Sequence, residues 1–92
     1  MLRISIHEDD RSIGLTLAGR LAGPWVAELS RAWLETAGRL DGKKKLMLDL
    51  RDLTYWDADG KRALKEIFTR TRAELITSSF WSEHLANEIR SN

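Results

Sequence analysis

Two aspartates separated by one alanine, Asp57 and Asp59, are the residues whose types and spacing best suit chemistry. They lie between an apolar run that ends in Tyr55 and Trp56 and a glycine, Gly60, that opens a helical pattern. Two carboxylates at this spacing could act as a general acid and base, ligate a divalent cation, or cap the helix. The three alternatives imply different kinds of protein.

Catalysis and metal binding are the weaker alternatives. A two-carboxylate mechanism needs a further acid, base or nucleophile nearby, and neither His7 nor His84 is close in sequence. A magnesium ion held by these carboxylates alone would keep most of its shell as water. The sequence has no cysteine, no ligand-spaced histidine pair and no phosphate-cradling glycine motif. We therefore expect no catalytic residue, no metal and no cofactor.

A helix cap is the favoured use of at least one of the two aspartates. A carboxylate placed just before a helix accepts a backbone N–H of the first turn and interacts favourably with the helix dipole. The cap is compatible with a binding role, because a loop between a strand and a helix is exposed at the edge of the sheet.

Composition limits the class of protein. The 92 residues are 42% hydrophobic and 32% charged, which is typical of a globular domain. Fifteen basic against fourteen acidic residues give a net charge of +1, too balanced to indicate nucleic acid as the main partner. No apolar run is long enough to span a bilayer, and the N-terminus lacks the apolar segment of a secretion signal. We expect one domain over residues 1–92, soluble and cytoplasmic, without membrane insertion.

Alternation of apolar and polar residues predicts the strands. The patterns at residues 2–6 and 13–17 predict an antiparallel hairpin, and a third strand is predicted at residues 46–50. Met47 lies between the leucines of that third strand and suggests burial on both of its faces. A short fourth strand is expected at residues 75–77.

Apolar residues at three- and four-residue steps predict three helices, at about 25–38, at about 60–72, and from Ser78 or Ser79 onward. The element order is ββαβαβα. Strands separated by helices imply partly parallel pairing, which predicts an α/β fold with a mixed four-stranded sheet and amphipathic helices.

The positions of the aromatic residues within the helical and strand periods predict which of them are buried. Trp33 and Trp81 are in phase with the apolar residues of their helices and are expected in the core, whereas Trp25 lies at a helix start and is expected to be partly buried. Tyr55 and Trp56 should point to opposite sides of an extended chain. Burial of both is favoured over exposure of one as an interface anchor.

Residues 49–60, DLRDLTYWDADG, resemble the signature of STAS domains, a family that includes the bacterial anti-sigma factor antagonists. That signature is a strand ending in Leu-Asp-Leu, an apolar stretch, and Asp-Ser-Ser/Thr-Gly opening a helix. Asp49, Asp57 and Gly60 match its spacing. Residues 17–21, LAGRL, resemble the family's Leu-x-Gly-x-Leu after the second strand. The resemblance covers nearly the whole chain, with a shorter C-terminal part, and implies a STAS-like fold.

The chain departs from this family at the dipeptide between the aspartate and the glycine. In the antagonists, an anti-sigma partner that resembles a kinase phosphorylates a serine there, and the dephosphorylated form binds that partner and frees the sigma factor. Here the dipeptide is Ala58-Asp59, which has no hydroxyl, and Ala22 stands where the family commonly has an acidic residue. Asp59 would add a fixed charge smaller than the −1.5 to −2 of a phosphate. Whether Asp59 imitates a phosphate or caps the helix stays open, with the cap favoured.

The resemblance implies a non-catalytic protein-interaction module, similar to an anti-sigma factor antagonist but not phosphorylatable, with an anti-sigma kinase-like protein as its partner. The expected contact surface, the switch loop and helix start, comprises Trp56, Asp57, Ala58, Asp59, Gly60, Lys61 and Arg62. The alternatives are a STAS subunit of a larger, transporter-type complex and a nucleotide or small-ligand sensor. Carboxylates beside the helix start disfavour a bound phosphate. The partner's identity, the pathway and the oligomeric state, including a homodimer, stay open.

Overall fold

The alternating apolar residues at the N-terminus form a hairpin, as predicted. The computed structural model describes residues 1–40 and 42–91. Strand β1 (Leu2–Glu8) pairs antiparallel with β2 (Ser12–Leu21), and Ile4 lies opposite Leu17. These apolar residues face one side of the sheet because side chains alternate along a strand.

Two further strands complete a mixed sheet in the order β1-β2-β3-β4. Strand β3 (Lys45–Trp56) runs parallel to β2, and the short β4 (Glu74–Ile76) runs parallel to β3. The mixed sheet and the ββαβαβα order confirm the predicted α/β fold. The fourth strand begins and ends one residue earlier than predicted.

Strand β3 is more than twice as long as the predicted strand at residues 46–50. Its register against β2 shifts between Thr16 and Ala18 and again between Gly19 and Arg20. Each shift inserts an extra residue that interrupts the alternation of buried and exposed side chains. Leu50 and Leu53 are therefore both buried, although they are three residues apart.

Three helices follow the predicted periodicity: α1 (Trp25–Ala37), α2 (Ala58–Thr71) and α3 (Phe80–Arg90). Helix α2 starts two residues earlier than predicted. Helix α3 begins after Ser79, whose hydroxyl accepts the N–H of Ser82, so a start at this serine is confirmed. No helix in the part of the chain that the structure describes is long and apolar enough to cross a membrane.

One hydrophobic core lies between the helices and one face of the sheet. Its largest fully buried apolar side chains come from five elements: Ile13, Leu15, Leu17, Leu21, Leu29, Leu48, Leu50, Leu64, Leu85 and Ile89. The opposite face carries Gly14, Thr16 and Met47, which line a shallow depression of about 310 Å³. Met47 is only half-buried, so the expectation that β3 is buried on both faces is wrong at this position.

Candidate functional site

The loops that follow β2 and β3 lie side by side at one end of the sheet. The two strands are parallel, and Leu21 at the end of β2 is paired with Trp56 at the end of β3. The parallel pairing therefore brings residues 22–24, which lead into α1, next to residues 57–60, which begin α2. We call these the 22–24 loop and the 57–60 loop. The two sequence motifs that resemble the STAS signature meet here.

Asp57 joins the two loops through its carboxylate. One oxygen, Oδ1, accepts the backbone N–H of Gly60 at 2.7 Å, and Asp57 is thereby the N-cap of α2. The other oxygen, Oδ2, accepts the N–H of Gly23 at 3.0 Å. The backbone N–H of Asp57 also donates to the carbonyl oxygen of Leu21 at 3.2 Å. One side chain thus caps a helix and fixes the entry to another.

The hydrogen bonds from Gly23 and Gly60 hold the pKa of Asp57 below its usual value, because they stabilise the ionised carboxylate. The folded pKa lies below the unfolded one, near 3.8, so the stabilisation is complete above that value and is lost as the pH falls through the folded pKa. We expect the melting temperature of Asp57→Asn to depend less on pH than that of the wild type between about pH 5 and pH 2. Thermal unfolding followed by circular dichroism measures both curves. Parallel curves would contradict the expectation, because the other carboxyl groups are common to both proteins.

Gly60 is required by a close approach of α2 to the end of β2. A methyl group on Gly60 would lie 2.4 Å from the carbonyl oxygen of Leu21 and 2.9 Å from its Cγ. Real side chains do not approach a backbone oxygen so closely, and the backbone of Leu21 is held in the sheet. The glycine of the 57–60 loop therefore permits the helix to pack here.

Asp59 does not cap α2. It lies within the first turn of the helix, where its carboxylate accepts a hydrogen bond from the Arg62 guanidinium at 3.0 Å. Both side chains are about three-quarters exposed, at 70% and 76%. The preference for Asp59 as the cap was wrong, because the capping geometry places the acceptor before the first helical residue, at Asp57.

A network of ionisable side chains joins the start of α2 to α3. Lys61 Nζ donates to Glu88 Oε2 at 3.0 Å, and His84 Nε2 lies 3.1 Å from the other carboxylate oxygen. The hydrogen bond from Lys61 lowers the pKa of Glu88, because it favours the ionised form. Lys61 is therefore engaged within the chain, and among the basic residues at the helix start Arg62 is the more exposed.

Aromatic side chains that range from half-buried to exposed lie next to the 57–60 loop. Trp56 and Trp81 pack with ring centroids 4.6 Å apart, and Trp81 is 50% exposed. Phe80, beside it in the first turn of α3, is 90% exposed. We call Trp56, Phe80 and Trp81 the aromatic patch. The expectation that Trp81 lies in the core was wrong, and Phe80 was missed. The signal for both was the cap at Ser79, which places them at the exposed start of a helix.

Tyr55 points away from this patch. Its ring is 42% exposed, and the guanidinium of Arg20 lies 4.6 Å from the ring centroid in a cation–π contact. Trp56 is half-buried and packs against the core. Burial of both aromatic residues was favoured and is wrong for Tyr55, while the expected opposite orientation along the strand explains the difference.

Asp49 matches the family signature in sequence but lies apart from the 57–60 loop. It sits within β3 and is mostly buried, at 8% exposure. Its carboxylate accepts two hydrogen bonds from the Arg51 side chain, at 3.0 and 2.7 Å, and these lower its pKa. Asp49 therefore lies within the sheet, apart from residues 56–62, which are the predicted contact surface.

The site presents one capping carboxylate and one ion-paired carboxylate, which together make no acid–base pair. Within residues 1–40 and 42–91, no group of three or more histidine, cysteine or acidic side chains is placed to hold a metal ion. The N–H of Gly60, which could otherwise bind a phosphate, is occupied by Asp57. What the site exposes is charge, at Asp59 and Arg62, and aromatic surface, at Phe80 and Trp81.

Comparison with solved structures identifies the fold. An uncharacterized protein of the DUF3478 family from Shewanella loihica PV-4, described as having a SpoIIAA-like fold, matches 94% of this chain. The match covers 77% of that protein with a TM-score of 0.56 and 16% identity. The fold is SpoIIAA-like. This is the fold of STAS domains, so the predicted STAS-like architecture is confirmed.

A second solved structure, that of Mglu, matches 82% of this chain with a TM-score of 0.64 and 15% identity. The chain spans only 19% of the Mglu chain. No protein-family profile and no curated protein match the sequence. Identities as low as these establish the fold alone.

Proposed function

We propose that this domain is a non-catalytic protein-interaction module that resembles an anti-sigma factor antagonist but lacks the phosphorylation switch. Its contact surface consists of residues 56–62 together with Phe80 and Trp81. The observation that carries the proposal is the exposed Asp59–Arg62 ion pair together with the aromatic patch, whose Trp56 directly precedes the 57–60 loop in the chain. Tryptophan and arginine are enriched among residues that dominate binding energy at protein interfaces.

The ion pair also favours one of the two roles left open for Asp59. The single negative charge of Asp59 is paired with Arg62 at 3.0 Å, so position 59 adds less negative charge to the dipeptide than the −1.5 to −2 of a phosphate. A surface in this state corresponds to the unphosphorylated form of an antagonist. The domain would then bind its partner constitutively, because neither Ala58 nor Asp59 has a hydroxyl group for a serine kinase to phosphorylate.

Calorimetric titration against the anti-sigma kinase-like proteins of the same organism tests this proposal. We expect one of them to bind, with an affinity that is the same with and without magnesium-ATP. Arg62→Glu and Phe80→Ser should each weaken binding by about tenfold or more and leave the melting temperature nearly unchanged, because both side chains are exposed.

Arg70→Glu provides a matched control for Arg62→Glu. Arg70 is also an exposed residue of α2 paired with an acidic neighbour, Glu66, but it lies at the opposite end of the helix. Equal losses for the two charge reversals would place the contact surface elsewhere. If no such protein binds, and a pull-down from native lysate recovers membrane transporter subunits instead, the transporter-type alternative is supported.

Restoring a hydroxyl to the dipeptide tests the switch directly. We expect Ala58→Ser or Asp59→Ser to become a substrate of the bound kinase-like partner and to lose affinity once phosphorylated. Both positions are exposed, so stability should change by less than about 0.5 kcal/mol. Phosphate incorporation is measured by intact-protein mass spectrometry. If neither serine is modified in a complex that forms, the 57–60 loop does not face the partner's active site.

A further inference from the structure

Strand β1 is the longer of the two edges of the sheet. The sheet has two edges, β1 with seven residues and β4 with three. A very short strand is a common protection against unwanted pairing, as are charged side chains, proline and bulges. β4 has the first of these features. β1 contains no proline, its charged residues Arg3 and Glu8 lie near its two ends, and its register with β2 is continuous from Leu2 to Glu8.

The direction of the free backbone groups of β1 follows from the hydrogen bonds at its two ends. Arg20 N–H donates to Met1 O at 2.9 Å, and Asp9 N–H donates to Ser12 O at 2.9 Å. In an antiparallel ladder, residues that bond to the neighbouring strand alternate with residues that do not. Residues 1, 3, 5, 7 and 9 therefore bond toward β2. The N–H and C=O groups of residues 2, 4, 6 and 8 point outward.

The outward-bonding residues are also the apolar ones. Leu2, Ile4 and Ile6 direct their side chains to the same face as Leu15 and Leu17, which is the face covered by the helices. The burial of these side chains decreases along the strand: Leu2 is buried, Ile4 is half-buried and Ile6 is 38% exposed. The same edge of the sheet therefore has both free backbone groups and partly exposed apolar side chains.

We propose that a second copy of this chain pairs with this edge, β1 against β1, antiparallel about a twofold axis at Ile4. Ile4 then lies opposite Ile4 of the second copy, and Leu2 lies opposite Ile6 of the second copy. Because all of these residues have outward backbone groups, the pairing forms about six backbone hydrogen bonds. The result is a continuous eight-stranded sheet with the helices of both copies on the same face.

The sequence of β1 favours pairing with β1 of a second copy of this chain. Pairing about Ile4 matches apolar with apolar side chains on the helix face and sets Arg3 opposite Ser5 on the other face. Pairing about Ser5 would instead set Arg3 opposite His7 and Leu2 opposite Glu8. Glu8 is already bonded to Lys44 at 2.6 Å and stays outside the paired segment when the axis is at Ile4.

This inference concerns a surface other than the proposed partner-binding site. β1 is separated from β3 and the 57–60 loop by β2, so the two surfaces can be occupied independently. Pairing through one strand buries less than the roughly 1,200 Å² of a standard interface. We therefore expect a reversible dimer whose population rises with concentration in the micromolar range.

Sedimentation velocity over a concentration series tests the dimer with Ile6→Pro and Ile6→Val. Proline at position 6 removes an outward N–H and leaves the ladder to β2 intact, which edge strands tolerate. Valine keeps the N–H and the branched side chain. We expect Ile6→Pro to raise the dissociation constant by about tenfold or more, and Ile6→Val by far less. Circular dichroism verifies that both variants are folded.

Disulfide trapping tests the position of the axis, since the chain contains no cysteine. Directly opposed residues in a hydrogen-bonded pair have Cα atoms about 5.5 Å apart, which a disulfide can bridge. We expect Ile4→Cys to form a covalent dimer on mild oxidation and Ser5→Cys to form much less. Efficient trapping of Ser5→Cys alone would overturn the axis at Ile4. A wild-type chain that stays monomeric at submillimolar concentration, with no trapping of either variant, would overturn the dimer itself.

Discussion

Gly60→Ala is expected to lower the free energy of unfolding by about 3 kcal/mol, because the added methyl group overpacks a site with no room to relax. The new Cβ would lie 2.4 Å from the carbonyl oxygen of Leu21, which belongs to β2. Relief requires α2 to move away from the sheet and to stretch the hydrogen bonds of Asp57. Chemical denaturation measures the change from the midpoint and slope of the transition.

Helix propensity alone gives the opposite sign for this substitution. Alanine is favoured over glycine within a helix by up to about 1 kcal/mol, and Gly60 lies in the first turn of α2 without a positive φ. A stabilised Gly60→Ala would mean that the helix start is free of the end of β2. The sign of the change therefore decides whether close approach or propensity dominates.

Gly38→Ala is the matched control. Gly38 follows α1 with φ of −66°, and an added Cβ would meet only the carbonyl oxygen of Glu35 at 3.6 Å, an ordinary contact. We expect this variant to be as stable as the wild type or slightly more stable. A loss at Gly38 equal to that at Gly60 would contradict the steric explanation.

The order of elements could be predicted because local patterns determine it. Leu2, Ile4 and Ile6 alternate with polar residues, and the helix residues recur at three- and four-residue steps, so the periods of strand and helix are separable in the sequence. The helix limits were correct to within about two residues. The STAS-like fold then followed from the order of elements and from two short motifs.

The extent of β3 could not be predicted, because it depends on pairing between distant residues. The two register shifts against β2 break the alternation after Leu50, and a broken alternation resembles the end of a strand in the sequence. The shifts are visible only once β2 lies beside β3. The same pairing continues to Trp56 and so determines where the 57–60 loop begins.

The site shows the same division between local and distant contacts. That an aspartate caps α2 follows from residue type and position, and the three-residue separation of Asp57 from Gly60 is the usual one for a cap. The second bond of Asp57, to Gly23, spans 34 residues and has no sequence signal. Trp81 matches the period of the buried Leu85 and Ile89, but it lies in the first turn of α3 and is half exposed there.

Asp57→Ala is expected to lower the melting temperature by about 5–15 °C, as a lost helix cap does in a domain of this size. The substitution removes the acceptor of two backbone N–H groups, at Gly60 and Gly23. It also breaks the link between the two loops that build the proposed contact surface. Partner binding should therefore weaken in Asp57→Ala although its side chain contributes little exposed area. Thermal unfolding and calorimetric titration of the same preparation measure both effects.

Asp59→Ala separates the structural role of Asp57 from charge alone. It removes a carboxylate two residues away from Asp57, and among the described residues the side-chain hydrogen bond that is lost is the exposed one from Arg62. Exposed pairs contribute little to stability, so we expect a melting temperature within about 2 °C of the wild type. If Asp59→Ala were as destabilised as Asp57→Ala, negative charge near the start of α2 would explain both variants. Only the larger effect at Asp57 supports a carboxylate that holds two loops together by hydrogen bonds.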